Sequence, residues 1–324
     1  MSTTRPCIYI HRVEWCPSDY YMTPANIELL NAFAEVRDHG ADPEPAGHGQ
    51  LVAYMRGADG MLLLNGAHAD EVTREALVEA GTLKVIAAAH WWPQIGDMAR
   101  QIEGSGVEII DASDACNQAV AEWALGALIC GIRRVDVFNR ELKAGRWPSW
   151  RGTTGILNGK TVGLVAVGRV GRWLLRYLQP FDVRILVYDP GISDDEAQAL
   201  GAEKVALDEL MSTCDAVSLH APVLDATKDM IGKKELGLLH DGALLVNSAR
   251  SHLVENEALK HELESGRISA WLDVFEHEPI QESETYLFDL DNVVLTPHIA
   301  GTTDDMFERC GRFAIEALHK RLTG

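Results

Sequence analysis

The chain has few cysteines, and none is arranged for chemistry. Its six, Cys7, Cys16, Cys116, Cys130, Cys214 and Cys310, include no C-x-x-C pair and suit neither a zinc site nor a disulfide framework. Reduced thiols packed as small apolar residues, as in a cytoplasmic protein, are the expectation. The 12 histidines include no H-x-x-x-H or H-E-x-x-H pair, so no metal is expected and a metal-dependent hydrolase is set aside. Positive charge is also scarce: 29 Lys and Arg against 48 Asp and Glu give a formal net charge of −19. Such a surface repels phosphate backbones and anionic lipid, which makes nucleic acid and membrane poor partners. An anionic small molecule would need a cation of its own within the site. No apolar run reads as a membrane span, because the best, Ala119 to Ile132, is interrupted by Glu122. The first ten residues, with Arg5 and Pro6, lack the apolar core of a secretory signal. Tandem repeats and low-complexity tracts are absent.

What remains is a globular composition, 47% hydrophobic and 24% charged over 324 residues, enough for two domains. In the first third, Cys7–Ile10, Gly60–Leu64, Lys84–Ala88 and Val107–Ile110 read as buried strands. Pro24–Val36, Asp70–Glu79 and Gln94–Ile102 read as helices between them, an alternation that predicts a parallel sheet covered on both faces. Val120, Ala124, Ala127, Leu128, Val135, Phe138 and Leu142 then recur at helical spacing, with Gly145 suited to the cap. This stripe predicts one long helix that connects domains or packs on a second subunit.

The alternation restarts with strands at Thr161–Val167, Val183–Tyr188, Val217–Leu219, Ala243–Val246, Ile268–Leu272 and Val293–Leu295. Helices are expected at Val170–Gln179, Lys233–Leu239, Glu255–Glu264 and Asp304–Arg321. The predicted fold class is α/β, two doubly wound parallel-sheet domains. Residues 1–114, completed by 298–324, form one domain, and residues 115–297 form the other.

Residues 163–171 read G-L-V-A-V-G-R-V-G, a strand entering a glycine turn and then a helix, the context a dinucleotide fingerprint requires. Gly168 would let the backbone approach a pyrophosphate, Gly171 would let helix pack on strand, and the helix N-terminus would present N–H groups to phosphate. The first glycine of G-x-G-x-x-G is Ala166 here, tolerable if its φ stays negative. Asp189, 18 residues after Gly171, stands where a carboxylate accepts the ribose hydroxyls of NAD and repels the extra phosphate of NADP. The plainer role for Asp189 is a cap before Pro190.

Three further motifs end strands: V-N-S-A-R (Val246 to Arg250), L-D-V-F-E-H-E-P (Leu272 to Pro279) and T-P-H-I-A-G (Thr296 to Gly301). Ligands of open parallel sheets bind beyond the carboxyl ends of strands, so Arg250, Glu278 and His298 are expected at one mouth. An arginine pairs with a carboxylate in a bidentate fork, and a histidine can give a carbonyl oxygen its proton as hydride arrives. A carboxylate on the other ring nitrogen fixes the tautomer and favours the charged form. Taken singly, each residue has a bland alternative: a surface ion pair for the arginine, a structural histidine after proline.

With these motifs in order, joined by A-V-A-E-W-A-L (from Ala119), Y-D-P (from Tyr188), S-L-H-A-P (from Ser218) and D-G-A-L-L-V-N-S-A-R (from Asp241), the chain resembles the D-isomer-specific 2-hydroxyacid dehydrogenase family from Asn117 to Gly301. The resemblance implies a Rossmann NAD-binding domain and a flavodoxin-like substrate domain rejoined by the tail. It implies hydride transfer between NAD and a D-2-hydroxy acid/2-oxo acid pair, in a homodimer. By it Arg250 is the substrate arginine, His298 the acid/base and Glu278 its partner. Asp273 would bond the nicotinamide carboxamide, and Arg169, Val170, His220, Pro222, Thr227, Ser248, Ala249 and Gly301 would complete the cofactor contacts.

The chain departs from the family pattern at Ser251, where glycine usually follows the arginine, and at Asp182, where glycine usually follows Pro180-Phe181. The larger departure follows L-K-V-I: a glycine-rich loop is replaced by Ala87-Ala88-Ala89-His90-Trp91-Trp92. Ala89, His90, Trp91 and Trp92 are expected to line a distinct substrate pocket, with an aromatic face for a bulky or cyclic substrate. In the alternative the tryptophans pack between domains and His90 caps a backbone group. The competing function is a non-catalytic NAD(H)-sensing or interaction protein on the same scaffold.

Overall fold

The structure is a computed structural model that describes residues 5–14, 18–40, 44–66, 68–90, 93–148 and 154–324. In chain order its elements begin with β1 (Cys7–His11), α1 (Ser18–Tyr21), α2 (Pro24–Phe33), β2 (Glu35–Asp38), α3 (His48–Met55) and β3 (Gly60–Leu63). Then come α4 (Arg74–Ala80), β4 (Val85–Ala88), α5 (Pro93–Gln101), β5 (Glu108–Asp111), α6 (Asp114–Arg133) and α7 (Val135–Lys143). The series continues with β6 (Thr161–Val165), α8 (Arg169–Leu178), β7 (Arg184–Tyr188), α9 (Asp194–Ala199), β8 (Glu203–Lys204) and α10 (Leu207–Thr213). It closes with β9 (Ala216–Leu219), α11 (Lys233–Leu238), β10 (Leu244–Asn247), α12 (Asn256–Glu264), β11 (Ser269–Leu272), β12 (Val293–Leu295) and α13 (Asp304–Thr323).

These elements form two units, Met1–Cys116 with Thr302–Gly324, and Asn117–Gly301. The first carries a five-stranded parallel sheet in the order β2-β1-β3-β4-β5, the flavodoxin-like winding. α13 packs on β3, β4 and β5 and against α1 and α2, so the returning segment completes this unit. Its start is defined by Thr303, whose hydroxyl accepts from Met306 N at 3.1 Å, and by Asp304 and Asp305 in the first turn; Lys320 and Arg321 lie in the last.

The second unit carries seven parallel strands in the order β12-β11-β10-β9-β6-β7-β8. Alternation along its strands separates two cores. Val165, Leu186, Val217 and Leu245 face one, with α10, α11 and α12. Val162, Leu164, Ile185, Val187 and Val246 face the other, with α6 and α8. The order reverses between β6 and β9, the switch point at which such sheets bind ligands.

Three expectations need correction. The helix begun at Pro24 ends at Phe33: Ala34 turns to extended backbone, and Glu35–Asp38 becomes the edge strand β2, largely exposed and therefore polar. The long helix is two helices, because Arg134 adopts a left-handed φ of 52° that interrupts the ladder between α6 and α7. Despite Glu122, α6 is long and apolar enough to cross a membrane by length and composition. In this fold its apolar side instead covers the sheet, with Ala121, Ala124, Ala127 and Leu128 buried in the second unit's core.

Candidate active site

The glycine turn sits between β6 and α8. Ala166 has φ +72°, the left-handed conformation usually reserved for glycine, and not the negative φ expected of an alanine there. A left-handed L-residue costs roughly 1–2 kcal/mol, and the turn holds it because Ala166 N donates to Tyr188 O at 2.8 Å. Gly168 caps α8 with a φ of −72°, and a Cβ built on it meets nothing within 4 Å. A Cβ on Gly171 would lie 2.7 Å from Ala166 O, so close packing of helix on turn needs glycine at that point. The open space over Gly168, at the N-terminus of a ten-residue helix, suits a pyrophosphate. Arg169 and Val170 form the first turn of that helix.

Asp189 follows β7 directly. Its carboxylate accepts from Val167 N and from Gly191 N, each at 2.7 Å, so it caps its own turn and braces the glycine turn as well. Ser248, after β10, is buried, and its Oγ has no hydrogen-bond partner among the described residues. An orphaned hydroxyl at a strand end fits a site that a polar ligand completes. Asn247 shapes the same turn: its Nδ2 donates to Arg250 O at 3.0 Å and its Oδ1 accepts from Ala249 N at 3.1 Å. His220 is bonded to Ser218 Oγ through Nε2 at 2.9 Å, and burial pushes its pKa down to about 4, so this imidazole is neutral. Thr227 Oγ1 donates to Pro222 O at 2.6 Å and closes the loop after β9.

β10, β11 and β12 are neighbours in the sheet, and their carboxyl ends carry Arg250, Glu278 and His298 in that order. His298 Nδ1 lies 2.5 Å from Glu278 Oε2, and both side chains are 37% exposed. Glu278 Oε1 accepts from Phe275 N at 3.1 Å, which turns the carboxylate toward the histidine. Nδ1 is thereby committed to Glu278, and Nε2 is the ring nitrogen left to exchange a proton with a ligand. Arg250 is exposed and makes no ion pair among the described residues, although the chain is strongly acidic. An anionic ligand at this mouth would need such a cation.

His298 has φ +54°, again left-handed for a non-glycine. The loop is held by Asp273, which is completely buried: it accepts from Thr296 Oγ1 at 2.5 Å, Ile299 N at 2.9 Å and Ala300 N at 2.8 Å. Asp273 was expected to bond the nicotinamide. In this conformation it has no exposed surface and its carboxylate braces the His298 loop, and Gly301 follows at the loop's end.

In the first unit, Ala89 has no exposed surface and belongs to the core, contrary to its expected place in a substrate pocket. Ala89 N donates to Leu63 O at 3.0 Å, which carries the ladder one residue past β4 and turns the side chain inward. His90 is also buried, with Nδ1 3.1 Å from the hydroxyl of Tyr21, itself 3.4 Å from Asn65 Oδ1. Burial drives its pKa down to about 4, against the opposing pull of Asp111. Trp91 and Trp92 lie outside the described residues. Sequence reasoning passed over Tyr21, Asn65, Asn247 and Thr296; the last two lie inside motifs already noticed.

Fold and site together define a dinucleotide-binding α/β protein with a histidine–carboxylate pair at its strand ends. The model of the D-isomer specific 2-hydroxyacid dehydrogenase NAD binding domain matches residues 125–300. Hydroxypyruvate reductase of Thermotoga maritima is 34% identical over 257 residues, 78% of this chain and 82% of that one. D-3-phosphoglycerate dehydrogenase of Methanocaldococcus jannaschii is 32% identical over 277 residues, 85% of this chain. The chain spans about half the length of the phosphoglycerate dehydrogenases it matches, 52% of the Methanocaldococcus enzyme. Among solved structures, a phosphoglycerate oxidoreductase from Rhizobium etli superposes with a TM-score of 0.81 over 99% of this chain and 96% of that one, at 21% identity. The chain belongs to the D-isomer specific 2-hydroxyacid dehydrogenase family, and its second unit is that family's NAD-binding domain.

Proposed function

We propose that the protein is an NAD-dependent oxidoreductase for a D-2-hydroxy acid and its 2-oxo acid. The observation that carries this reading is the 2.5 Å His298–Glu278 contact on the same sheet edge as Arg250, which has no carboxylate partner among the described residues. Gly168, Gly171, Asp189 and Ser248 would hold the cofactor, which supplies or takes up the hydride. Arg250 pairs with the substrate carboxylate and fixes the oxo group's orientation. His298 Nε2 gives a proton to the carbonyl oxygen in reduction and takes it back in oxidation. Glu278 holds the ring in the tautomer and rotation this requires.

Substrate selection is assigned to the first unit, with His90 as the polar group it contributes. Its neutral imidazole acts there as a hydrogen-bonding group and not as a counter-charge. The assembly proposed is a homodimer through α7 and the segment after it, where Val135, Leu142 and Trp147 are 49%, 56% and 88% exposed. The free thiols Cys7, Cys130, Cys214 and Cys310 support a reducing, cytoplasmic setting.

The test is NADH oxidation across a broad panel of 2-oxo acids by wild type, His298→Ala and Arg250→Ala. His298→Ala should lose on the order of 100-fold or more in kcat, and Arg250→Ala should raise KM as well as lower kcat. Turnover by His298→Ala at the wild-type rate would refute the proton-transfer assignment. Tight NADH binding without reduction of any acid would favour an NAD(H)-sensing protein on the same scaffold.

A further inference from the structure

Glu284 lies outside every motif that pointed to the site. It sits in the 3-10 turn Glu282–Asp289 and is 9% exposed. A carboxylate so far inside the fold needs donors, and the loop that carries Glu278 supplies them. Glu284 Oε1 accepts from Glu276 N at 3.0 Å, and Oε2 accepts from His277 N at 3.2 Å and His277 Nδ1 at 3.1 Å. Both backbone donors belong to the two residues immediately before Glu278. The same loop is tied from the other side, where Asn256 Nδ2 donates to Glu276 Oε2 at 2.6 Å.

Among the described residues the Glu278 carboxylate has two hydrogen-bonding partners to set its direction, Phe275 N through one oxygen and His298 through the other. The position of its backbone is therefore decided by what holds residues 276 and 277. We infer that Glu284 is the positioning residue for Glu278, and through it for the ring of His298. The inference rests on the reading above that Glu278 orients His298. Chemistry also dictates why glutamine should not replace it. An amide has one acceptor oxygen where the carboxylate has two, and its NH2 group would face a donor of the loop. Glu284→Gln therefore frees at least one of the two N–H groups and allows the loop to shift.

The experiment is a long-range 15N–1H spectrum of histidine-labelled protein, which reads which ring nitrogen of His298 carries the proton, recorded beside the kinetics. In the wild type the proton should reside on Nδ1. In Glu284→Gln the His298 signals should move to those of Glu278→Gln, kcat should fall on the order of 10-fold, and KM for NADH should stay within about twofold, because the glycine turn is untouched. The double variant should be no worse than Glu278→Gln alone, since both act through one contact. A wild-type His298 spectrum in Glu284→Gln overturns the inference, whatever the activity. A wild type that reduces no 2-oxo acid, with a His298 that nonetheless changes in Glu284→Gln, defeats the proposed function and leaves the clamp standing. Should Glu284→Gln not fold, Glu284→Asp takes its place: it keeps the charge but withdraws the oxygens by one methylene. Its His298 signals should then fall between wild type and Glu278→Gln, and identity with wild type overturns the inference.

Discussion

The two glycines of the turn respond to the same substitution in opposite ways, and this tests the site more sharply than loss of activity can. By helix propensity alone, Gly171→Ala inside α8 should stabilise by about 1 kcal/mol. The structure reverses that sign. The added Cβ would stand 2.7 Å from Ala166 O, a backbone atom in a turn already held left-handed. The turn must shift, and overpacking of this kind costs roughly 1–3 kcal/mol, which outweighs the propensity gain in most of its range. For a unit of this size each kcal/mol lowers Tm by about 2–4 °C. Gly168→Ala meets nothing within 4 Å and keeps a φ of −72° that alanine adopts freely. It should leave Tm unchanged or raise it, since a stiffer unfolded chain contributes about 0.4–1 kcal/mol. Its methyl, however, fills the space over the helix N-terminus. Losing one charge-assisted hydrogen bond of about 1.5–3 kcal/mol weakens NADH binding roughly 10- to 100-fold. The assay is a pair of numbers for each variant: Tm of the cofactor-free protein, and Kd for NADH by fluorescence titration. A Gly171→Ala that melts at or above wild type refutes the packing argument, and a Gly168→Ala with wild-type affinity refutes the phosphate site.

Asp189→Ala should narrow the preference for NADH over NADPH by about 10-fold as like-charge repulsion is removed, while weakening both cofactors because Val167 N loses its acceptor; unchanged selectivity counts against the ribose assignment. His90 and His220 both have pKa values pushed down to about 4 by burial, below the ordinary histidine value. The unfolded chain therefore binds protons that the fold refuses, and stability present above about pH 6.5 is lost as pH falls toward 4. Urea midpoints measured across that window should show the slope, and it should flatten in His220→Asn. Leu142→Asp or Trp147→Asp should give a monomer by light scattering with wild-type NADH affinity, and a persistent dimer refutes the proposed interface.

What could be read before the structure was whatever burial writes into side chains. β3, β4, β9 and β10 are buried along their whole length, and their apolar runs announced them. β2 is an exposed edge of sequence Glu-Val-Arg-Asp, without the apolar run or alternation that marks a buried strand, so the sequence alone continues the preceding helix to Val36. The break at Arg134 was invisible for a related reason: its left-handed φ falls on a residue type that gives no warning of it. Ala166 is alike, because alanine's own preference is a negative φ and the turn imposes glycine's. Arg250, Glu278 and His298 stood out because each closes a strand with a motif. Glu284 did not, because its partners are backbone N–H groups of a neighbouring loop, and no side-chain pattern encodes those. Asp273 was recognised as important, but burial under the His298 loop is a property of packing that its motif did not carry.

The return of α13 to the first unit sets an order on the birth of the protein. Residues 5–116 leave the ribosome first, yet the helix that covers β3, β4 and β5 is synthesised only after the whole second unit. At about 5–20 residues per second, that interval is on the order of ten seconds or more. Throughout it, the pocket for Met306, Ala314, Ile315 and Leu318, which are buried in the finished fold, stays open to water and to chaperones. The second unit meets no such delay, since its seven strands and their covering helices are contiguous in the chain. A chain ending just before Thr302 and released from the ribosome should accordingly resist protease from Asn117 onward and be cut within its first hundred residues, the reverse of the order in which the two parts emerged.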